Sequence, residues 1–200
     1  MMKLNPSKTI NELITVLAYV MDVDENRKLY HTWRVSILSA LLAEKLVTPK
    51  KLKEIFYAAV LHDVGGVGFP YHIIHYLKRN DKTSQNILLS HPIIAAQLIS
   101  NIPKLTTVAK LILDHHEWIN GHGYPRAKTR NSIPLGSQII RIADSVDIAI
   151  QSGKFSTLKK LRNRLSLNVN QEYTPALFKR IIQILENKNF FYKLLYLHLL

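Results

Sequence analysis

Apolar residues recur three and four positions apart along most of the chain, which is the spacing of one face of an α-helix. The pattern is clearest over residues 13–20, 35–46, 52–61, 93–99, 108–113 and 139–150. No segment shows the strict alternation of apolar and polar residues that predicts a half-buried strand. The sequence therefore predicts an all-α fold.

Helix starts and loops are marked by proline and glycine. Asn5-Pro6, Thr48-Pro49 and Thr174-Pro175 each place a capping side chain before a proline, whose missing N–H does no harm in a first helical turn. Glycine and proline also gather at residues 65–70 and 121–125. Because glycine permits backbone conformations that side chains disfavour, we expect two functional loops there.

Composition favours an anionic partner and excludes chemistry that depends on cysteine. The 27 Lys and Arg residues against 14 Asp and Glu give a net charge of +13, which favours an anionic substrate or partner. Cysteine is absent, so thiolate nucleophiles, disulfides and cysteine-ligated metals are excluded. Basic residues become more frequent over residues 154–193, and a solvated helical face is favoured there over a nucleic-acid surface.

His62 and Asp63 end an apolar helical run and precede the first glycine loop. Neighbours on a helix diverge by about 100°, so the pair cannot chelate one ion as well as residues one turn apart. Asp63 can instead offer one oxygen to each of two cations while His62 binds one of them. Two cations about 3.5–4 Å apart form a clamp for phosphoryl chemistry.

Six short motifs occur in the order seen in HD-GYP domains, which the chain resembles over roughly residues 28–185. The motifs are His31-Thr32-Trp33-Arg34-Val35, His62-Asp63-Val64-Gly65, His91-Pro92, His115-His116-Glu117, Gly123-Tyr124-Pro125 and Arg141-Ile142-Ala143-Asp144. The resemblance implies a single HD-superfamily helical bundle with a metal centre between helices. It also implies a metal-dependent phosphodiesterase that hydrolyses cyclic di-GMP or a related cyclic dinucleotide.

We accordingly expect one HD-GYP-like domain over residues 1–200, with an N-terminal helix and lead-in at 1–27 and a terminal helix at 186–200. No apolar run reaches the roughly 18 residues of a membrane span. The first ten residues also lack the pattern of a secretory signal. We therefore expect a cytoplasmic protein.

The resemblance places seven side chains around two ions, with Asp63 as the bridge. One ion is expected to bind His31, His62, Asp63 and Asp144, and the other Asp63, His91, His115 and His116. Asp63 and His62 are the predicted catalytic residues, and a metal-bridging hydroxide is the implied nucleophile. Ligands without sulfur favour iron or manganese, with zinc, nickel and cobalt left open. Glu117 and Asp147 are expected to orient ligating imidazoles or to stabilise a helix.

The chain departs from the family pattern at two positions. Gly66 stands where family members usually have a lysine, so we expect slow or absent turnover unless another cation replaces it. Candidate replacements are Lys78, Arg79, Arg126 and Lys128. Arg27 stands where three-metal members have a glutamate, so we expect two ions rather than three.

Gly123, Tyr124, Pro125 and Arg126 form a predicted substrate or partner loop. This loop is either a tight turn whose tyrosine packs on the bundle or a docking surface for a GGDEF-type cyclase or another signalling protein. Two alternatives to the phosphodiesterase stay open. One is a catalytically weak or inactive signalling module, and the other is an HD phosphohydrolase that acts on another nucleotide or on RNA.

Overall fold

The computed structural model describes residues 6–23, 30–67, 69 and 81–196, and all structural statements below refer to these. Nine α-helices lie within them. They are α1 (Pro6–Val23), α2 (His31–Ala43), α3 (Pro49–Leu61), α4 (Lys82–Ser100), α5 (Thr106–Leu113), α6 (Leu135–Gln151), α7 (Leu158–Ser166), α8 (Pro175–Leu185) and α9 (Lys188–Tyr196). Short 3₁₀ helices occupy Val64–Gly66 and Arg130–Ser132. In these described ranges β-structure amounts to two isolated bridges, so the predicted all-α fold is confirmed.

The capping side chains start their helices as the sequence indicates. Thr48 accepts a hydrogen bond from the Lys51 amide at the start of α3, and Thr174 accepts one from the Leu177 amide at the start of α8. Asn5 lies outside the described residues. Each cap satisfies one of the amides that a first helical turn leaves without an intrahelical partner.

Two helices differ from the predicted ranges. α2 ends at Ala43 rather than at residue 46, because Glu44 adopts an extended conformation and Lys45 has a positive φ of 64°. α4 is longer than expected and runs through Pro92, with Asp81 capping its first turn. A proline inside a helix removes one backbone donor.

The core lies where α2 and α3 pack together and α6 crosses α2. Leu38, Leu61, Ile139 and Ile142 are fully buried there. Burial of each such side chain contributes about 1.5–3 kcal/mol of stabilisation. The packing holds α6 against the first turn of α2 and the end of α3, and this arrangement positions the polar residues described next.

The C-terminal segment packs on the same core through α9, where Phe191 and Leu194 are buried. Residues 197–200 lie outside the described part. None of the helices in the described ranges combines the length and the apolarity needed to cross a membrane.

Candidate metal centre

The seven predicted ligands come from five segments and meet inside the bundle. His31 begins α2, His62 and Asp63 follow α3, His91 lies within α4, His115 and His116 follow α5, and Asp144 lies in α6. All seven side chains are buried. The structure thus brings every residue of the predicted set to one place, and their ligation of metal remains a prediction.

Asp63 lies at the centre of this cluster, and its two oxygens face different imidazoles. Oδ2 is 3.3 Å from His62 Nε2 and 3.7 Å from His31 Nε2. Oδ1 is 3.3 Å from His91 Nε2 and 3.8 Å from His115 Nε2. One carboxylate therefore connects two separate sets of nitrogen atoms.

These sets form two groups whose potential ligand atoms all lie within 4.8 Å of one another. One group contains Asp63, His91, His115 and His116, and the other contains His31, His62 and Asp63. Asp144 adjoins the second group, with its Oδ1 3.7 Å from His31 Nε2. The grouping is the one that the family resemblance implies.

Three of the imidazoles are oriented by carbonyls three residues earlier in the chain. The Nδ1 atoms of His62, His91 and His115 donate to the carbonyls of Ala59, Leu88 and Ile112 at 2.6–2.7 Å. A proton on Nδ1 leaves Nε2 as the basic nitrogen. Since each Nε2 points toward Asp63, the hydrogen bonds aim three lone pairs at one carboxylate.

The three carbonyl acceptors are available for local reasons. Ala59 lies in the last turn of α3, where carbonyls lack an intrahelical partner. Ile112 lies in the last turn of α5, and its carbonyl accepts the His115 amide at 3.3 Å as well as the His115 side chain. Leu88 lies in the middle of α4, but the residue four positions later is Pro92, which has no N–H. The proline therefore frees the carbonyl that orients His91.

The fourth imidazole, His31, is oriented by a residue of another helix. Its Nδ1 lies 2.7 Å from Asp147 Oδ2, and Arg34 donates to both oxygens of the same carboxylate. Asp147 thus orients an imidazole, as predicted. Arg34 is fully buried, and sequence reasoning did not assign it a role although it lies one turn after His31.

His116 has a different hydrogen-bonding arrangement. Its Nδ1 lies 3.1 Å from Arg141 Nη1, and a guanidinium can only donate, so this nitrogen accepts. The Tyr124 ring stacks on the imidazole at a centroid distance of 4.7 Å and an interplanar angle of 22°. Arg141 also donates to Asp144 and Glu172. Arg141 belongs to the sixth motif but was given no role from the sequence, and Glu172 lies in none of the motifs.

Burial dominates the electrostatics of the group that contains His115 and His116. It lowers the pKa of His115 and His116 well below the usual value, and neighbouring imidazoles lower both further. Burial alone would raise the pKa of Asp63, but His62 and the other facing imidazoles outweigh it and hold the pKa well below its usual range. Neutral imidazoles around an ionised carboxylate are the form that binds cations.

The group that contains His31 and His62 differs because three carboxylates, those of Asp63, Asp144 and Asp147, act on it. Burial lowers the pKa of His31 and His62, but Asp147 acts on His31 and Asp63 acts on both strongly enough to raise each pKa above its usual value. Burial raises the pKa of Asp144. Because a cation competes with these protons, metal binding at this group would release protons.

The chemistry of the cluster fits divalent cations. His62 Nε2 is buried and has no hydrogen-bond partner in the described structure, and a buried polar atom left unsatisfied costs about 1–3 kcal/mol. This nitrogen faces the ionised Asp63 carboxylate. A cation between them would satisfy both groups, and imidazole with carboxylate is an ordinary donor set for transition metals.

The loop that carries Tyr124 is tied to the end of α5 by two buried carboxylates. Glu117 accepts hydrogen bonds from the backbone amides of Arg126 and Lys128 at 2.6 and 2.7 Å. The prediction for Glu117 is therefore wrong, because this side chain holds loop backbone and neither orients an imidazole nor stabilises a helix. Asp114, which the motifs did not single out, pairs with the side chains of Arg126 and Lys128.

These ion pairs bear on the missing lysine at Gly66. Arg126 and Lys128 both pair with Asp114, whose single negative charge can balance only one of them, and this pairing holds the two side chains at the end of α5. The other two candidates, Lys78 and Arg79, lie outside the described residues. Arg27 also lies outside them, so the expectation of two ions rather than three stays a prediction.

Glycine is required at one position beside the cluster for a steric reason. A Cβ atom at Gly65 would lie 2.1 Å from the carbonyl oxygen of His91. The 3₁₀ turn after Asp63 can therefore approach the backbone of α4 only because residue 65 has no side chain. This close approach brings His91 within reach of Asp63.

Comparison with known proteins identifies the class. The HD domain family matches residues 16–173, so the chain belongs to this family, and the resemblance to HD-GYP domains is confirmed. A cyclic di-GMP phosphodiesterase of Thermotoga maritima is 34% identical over 155 residues, which are 75% of this chain and 41% of that protein. A 3'3'-cGAMP-specific phosphodiesterase of Vibrio cholerae is 26% identical over 68% of this chain and 30% of its own length.

Solved structures support the fold. The crystal structure of a cyclic GMP-AMP-specific phosphodiesterase of V. cholerae superposes with a TM-score of 0.73 at 20% identity. The match covers 92% of this chain and 50% of that one. The chain thus spans less than half the length of the curated relatives above and corresponds to one part of them.

Proposed function

We propose that this chain is a metal-dependent phosphodiesterase that hydrolyses cyclic di-GMP or a related cyclic dinucleotide. The observation that carries the proposal is the position of Asp63, whose two oxygens each face a separate pair of imidazoles. A carboxylate shared in this way suits two cations held close together. Such a pair is the arrangement used for displacement at phosphorus.

Seven side chains would hold the two ions, for which iron or manganese is proposed. They are His31, His62, Asp63, His91, His115, His116 and Asp144. When bound, the cations would lower the pKa of water and neutralise charge on phosphate oxygens. Asp63 and His62 would be the residues most directly involved, since they are adjacent and Asp63 joins both groups.

The protein side chains would contribute orientation and a dry environment. The Nδ1 hydrogen bonds fix four imidazoles before any ligand arrives, so little reorganisation is needed. Burial of the whole cluster removes competing water from the charges. The positive net charge of +13 would attract an anionic dinucleotide.

Gly66 favours a second candidate function, a signalling module with weak or no turnover that retains the metal centre. Its partner surface would be the loop of Gly123, Tyr124, Pro125 and Arg126. Tyr124 is committed to stacking on His116, so a docking surface on this loop would consist of the exposed residues on either side, His122 and Arg126.

The experiment is a hydrolysis assay on metal-loaded protein. The chain is purified anaerobically and loaded with Fe(II) or Mn(II). Hydrolysis of cyclic di-GMP and of 3'3'-cGAMP is followed by chromatography. The controls are chelator-treated protein and the Asp63→Asn variant. We expect a linear dinucleotide product that both controls abolish. A protein with two bound ions and no product from either substrate would contradict the proposal.

Two further arms separate the alternatives. Gly66 does not have a positive φ, so the Gly66→Lys variant meets no backbone obstacle of that kind. Hydrolysis that appears only in Gly66→Lys would assign the natural chain to the signalling module. Faster turnover of a mononucleotide, a linear dinucleotide or short RNA would favour an HD phosphohydrolase of another specificity.

A further inference from the structure

A cavity of about 430 Å³ opens beside the candidate metal centre. His116 and Tyr124 line it on the side of the cluster, and residues from the end of α6 and from α7 line it elsewhere. Its volume falls within the roughly 300–1,000 Å³ that small-molecule sites occupy. If a phosphodiester were bound at the cluster, the rest of the substrate could occupy this cavity.

A chain of hydrogen bonds runs along the cavity from its rim to the cluster. Arg164 donates to Asn168 at 3.1 Å, and Asn168 donates to Glu172 at 2.7 Å. Arg141 donates to the other oxygen of Glu172 at 2.7 Å and to Asp144 at 3.2 Å. The carboxylate of Glu172 is thereby neutralised by Arg141, and Arg164 is held at the cavity.

Two exposed cations line the cavity away from the cluster, Lys154 and Arg164. Across the described ranges, neither has a carboxylate within ion-pair distance. Arg126 and Lys128 differ, because Asp114 pairs with both. Lys154 and Arg164 therefore retain their full attraction for an anion.

Aromatic side chains line the same cavity. Trp118 and Phe155 lie on its walls, and aromatic faces accept nucleobases by stacking. A site that combines aromatic walls with two cations at the rim suits a nucleotide better than a simple phosphate ion. It is also placed next to the residues that would cleave a phosphodiester.

We propose that Lys154 and Arg164 bind the second phosphate of a cyclic dinucleotide while the first lies at the metal centre. This assignment rests on the function proposed above. A cyclic dinucleotide carries two phosphates separated by nucleosides, so a single metal centre can contact only one of them.

The test is a binding titration that does not depend on turnover. Trp118 lies in the cavity, whereas the other tryptophan, Trp33, lies in α2 against Tyr19. In a Trp33→Phe background, Trp118 fluorescence therefore reports on the cavity alone. Cyclic di-GMP, 3'3'-cGAMP and cyclic di-AMP are each titrated into chelator-treated protein, which prevents hydrolysis, and into Mn(II)-loaded protein.

The variant is Lys154→Ala with Arg164→Ala, and the matched control is Lys159→Ala with Arg162→Ala. The control removes the same charge from exposed positions of α7 that do not line the cavity. We expect affinity to fall by about tenfold or more in the variant, since hydrogen bonds to charged groups are among the stronger ones, and to change by less than about twofold in the control.

Lys154→Glu is a second variant. Lys154 is exposed, and its side chain makes no hydrogen bond in the described structure, so the substitution should not disturb folding. We expect Lys154→Glu to bind the ligand more weakly than Lys154→Ala. Equal losses in variant and control would overturn the proposal, because they would reflect net charge only. Unchanged affinity in the variant, or no binding by the natural chain, would also overturn it. A further outcome is that the chain binds the ligand through Lys154 and Arg164 and yet never hydrolyses it. That result would support this proposal and contradict the phosphodiesterase.

Discussion

The carboxylate of Asp147 accepts a hydrogen bond from His31 Nδ1 at 2.7 Å, joining the first turn of α2 to the middle of α6. The same carboxylate pairs with the fully buried Arg34. Its pKa is held below the usual range because His31 and Arg34 outweigh the effect of burial. One carboxylate therefore both orients a candidate ligand and neutralises a buried guanidinium.

We expect Asp147→Asn to weaken both functions. The substitution removes the negative charge from the buried pair with Arg34, and breaking a buried pair costs about 3–5 kcal/mol of unfolding free energy. Metal affinity should also fall by about 10- to 100-fold, as for other groups that orient ligands. Chemical denaturation and metal titration measure the two effects. Arg34→Lys keeps a positive charge beside Asp147 and should change metal affinity less, so an equal loss in both variants would contradict this interpretation.

Substitutions within the cluster should remove metal in a graded manner. Because Asp63 faces both groups of imidazoles, we expect Asp63→Ala to abolish tight binding of both ions. His91 belongs to one group only, so His91→Ala should retain about one ion per chain. Elemental analysis after gel filtration gives the stoichiometry. Retention of two ions by Asp63→Ala would show that its carboxylate does not join the groups.

Pro92 should affect the metal centre through the backbone. In Pro92→Ala a new amide can donate to the Leu88 carbonyl and compete with His91 Nδ1. Alanine is about 3 kcal/mol more favourable than proline inside a helix. We therefore expect the variant to be at least as stable as the natural chain but to bind metal about tenfold more weakly.

Thermal unfolding of metal-free protein and metal titration separate these two effects of Pro92→Ala. Pro175 provides the matched control, because it lies at the start of α8, where a proline displaces no hydrogen bond. Pro175→Ala should leave metal affinity unchanged. If Pro92→Ala binds metal as tightly as the natural chain, the freed carbonyl has no part in orienting His91.

Glu117→Gln should loosen the loop that carries Tyr124. The amide group of glutamine can accept only one of the two backbone hydrogen bonds that Glu117 makes, and its NH₂ faces the other donor. A buried donor left unsatisfied costs about 1–3 kcal/mol. Urea denaturation measures the loss, and limited proteolysis reports on residues 121–126. Glu12→Gln, on the exposed face of α1, should behave like the natural chain in both assays.

Most of the fold was predictable because helical periodicity and capping act over a few residues. Thr48 and Thr174 cap the helices that their sequences indicate. The end of α2 was not predictable from apolar spacing, since Leu46 continues the pattern while the backbone already turns at Glu44. α4 was predicted too short because apolar spacing indicated only residues 93–99, whereas the helix begins at Lys82 and continues through Pro92.

The candidate ligands could be named from motifs, but their surroundings could not. Arg126 and Lys128 were candidate replacements for the missing lysine, and only the structure showed that Asp114 pairs with both. Glu117 looked like an orienting group for an imidazole and instead holds loop backbone. The contact partners of these side chains could not be inferred from their neighbours in sequence.

The sequence alone was enough to predict an all-α chain and to exclude thiol chemistry. It also identified a set of imidazoles and carboxylates suited to binding cations. Folding decided which oxygen of Asp63 faces which imidazole, which cations remain unpaired, and where a cavity adjoins the cluster. His31 and Asp147 are 116 positions apart, and only the packing of α2 against α6 brings them into contact. Distances of this kind depend on how helices cross, and no local pattern along the chain records that geometry.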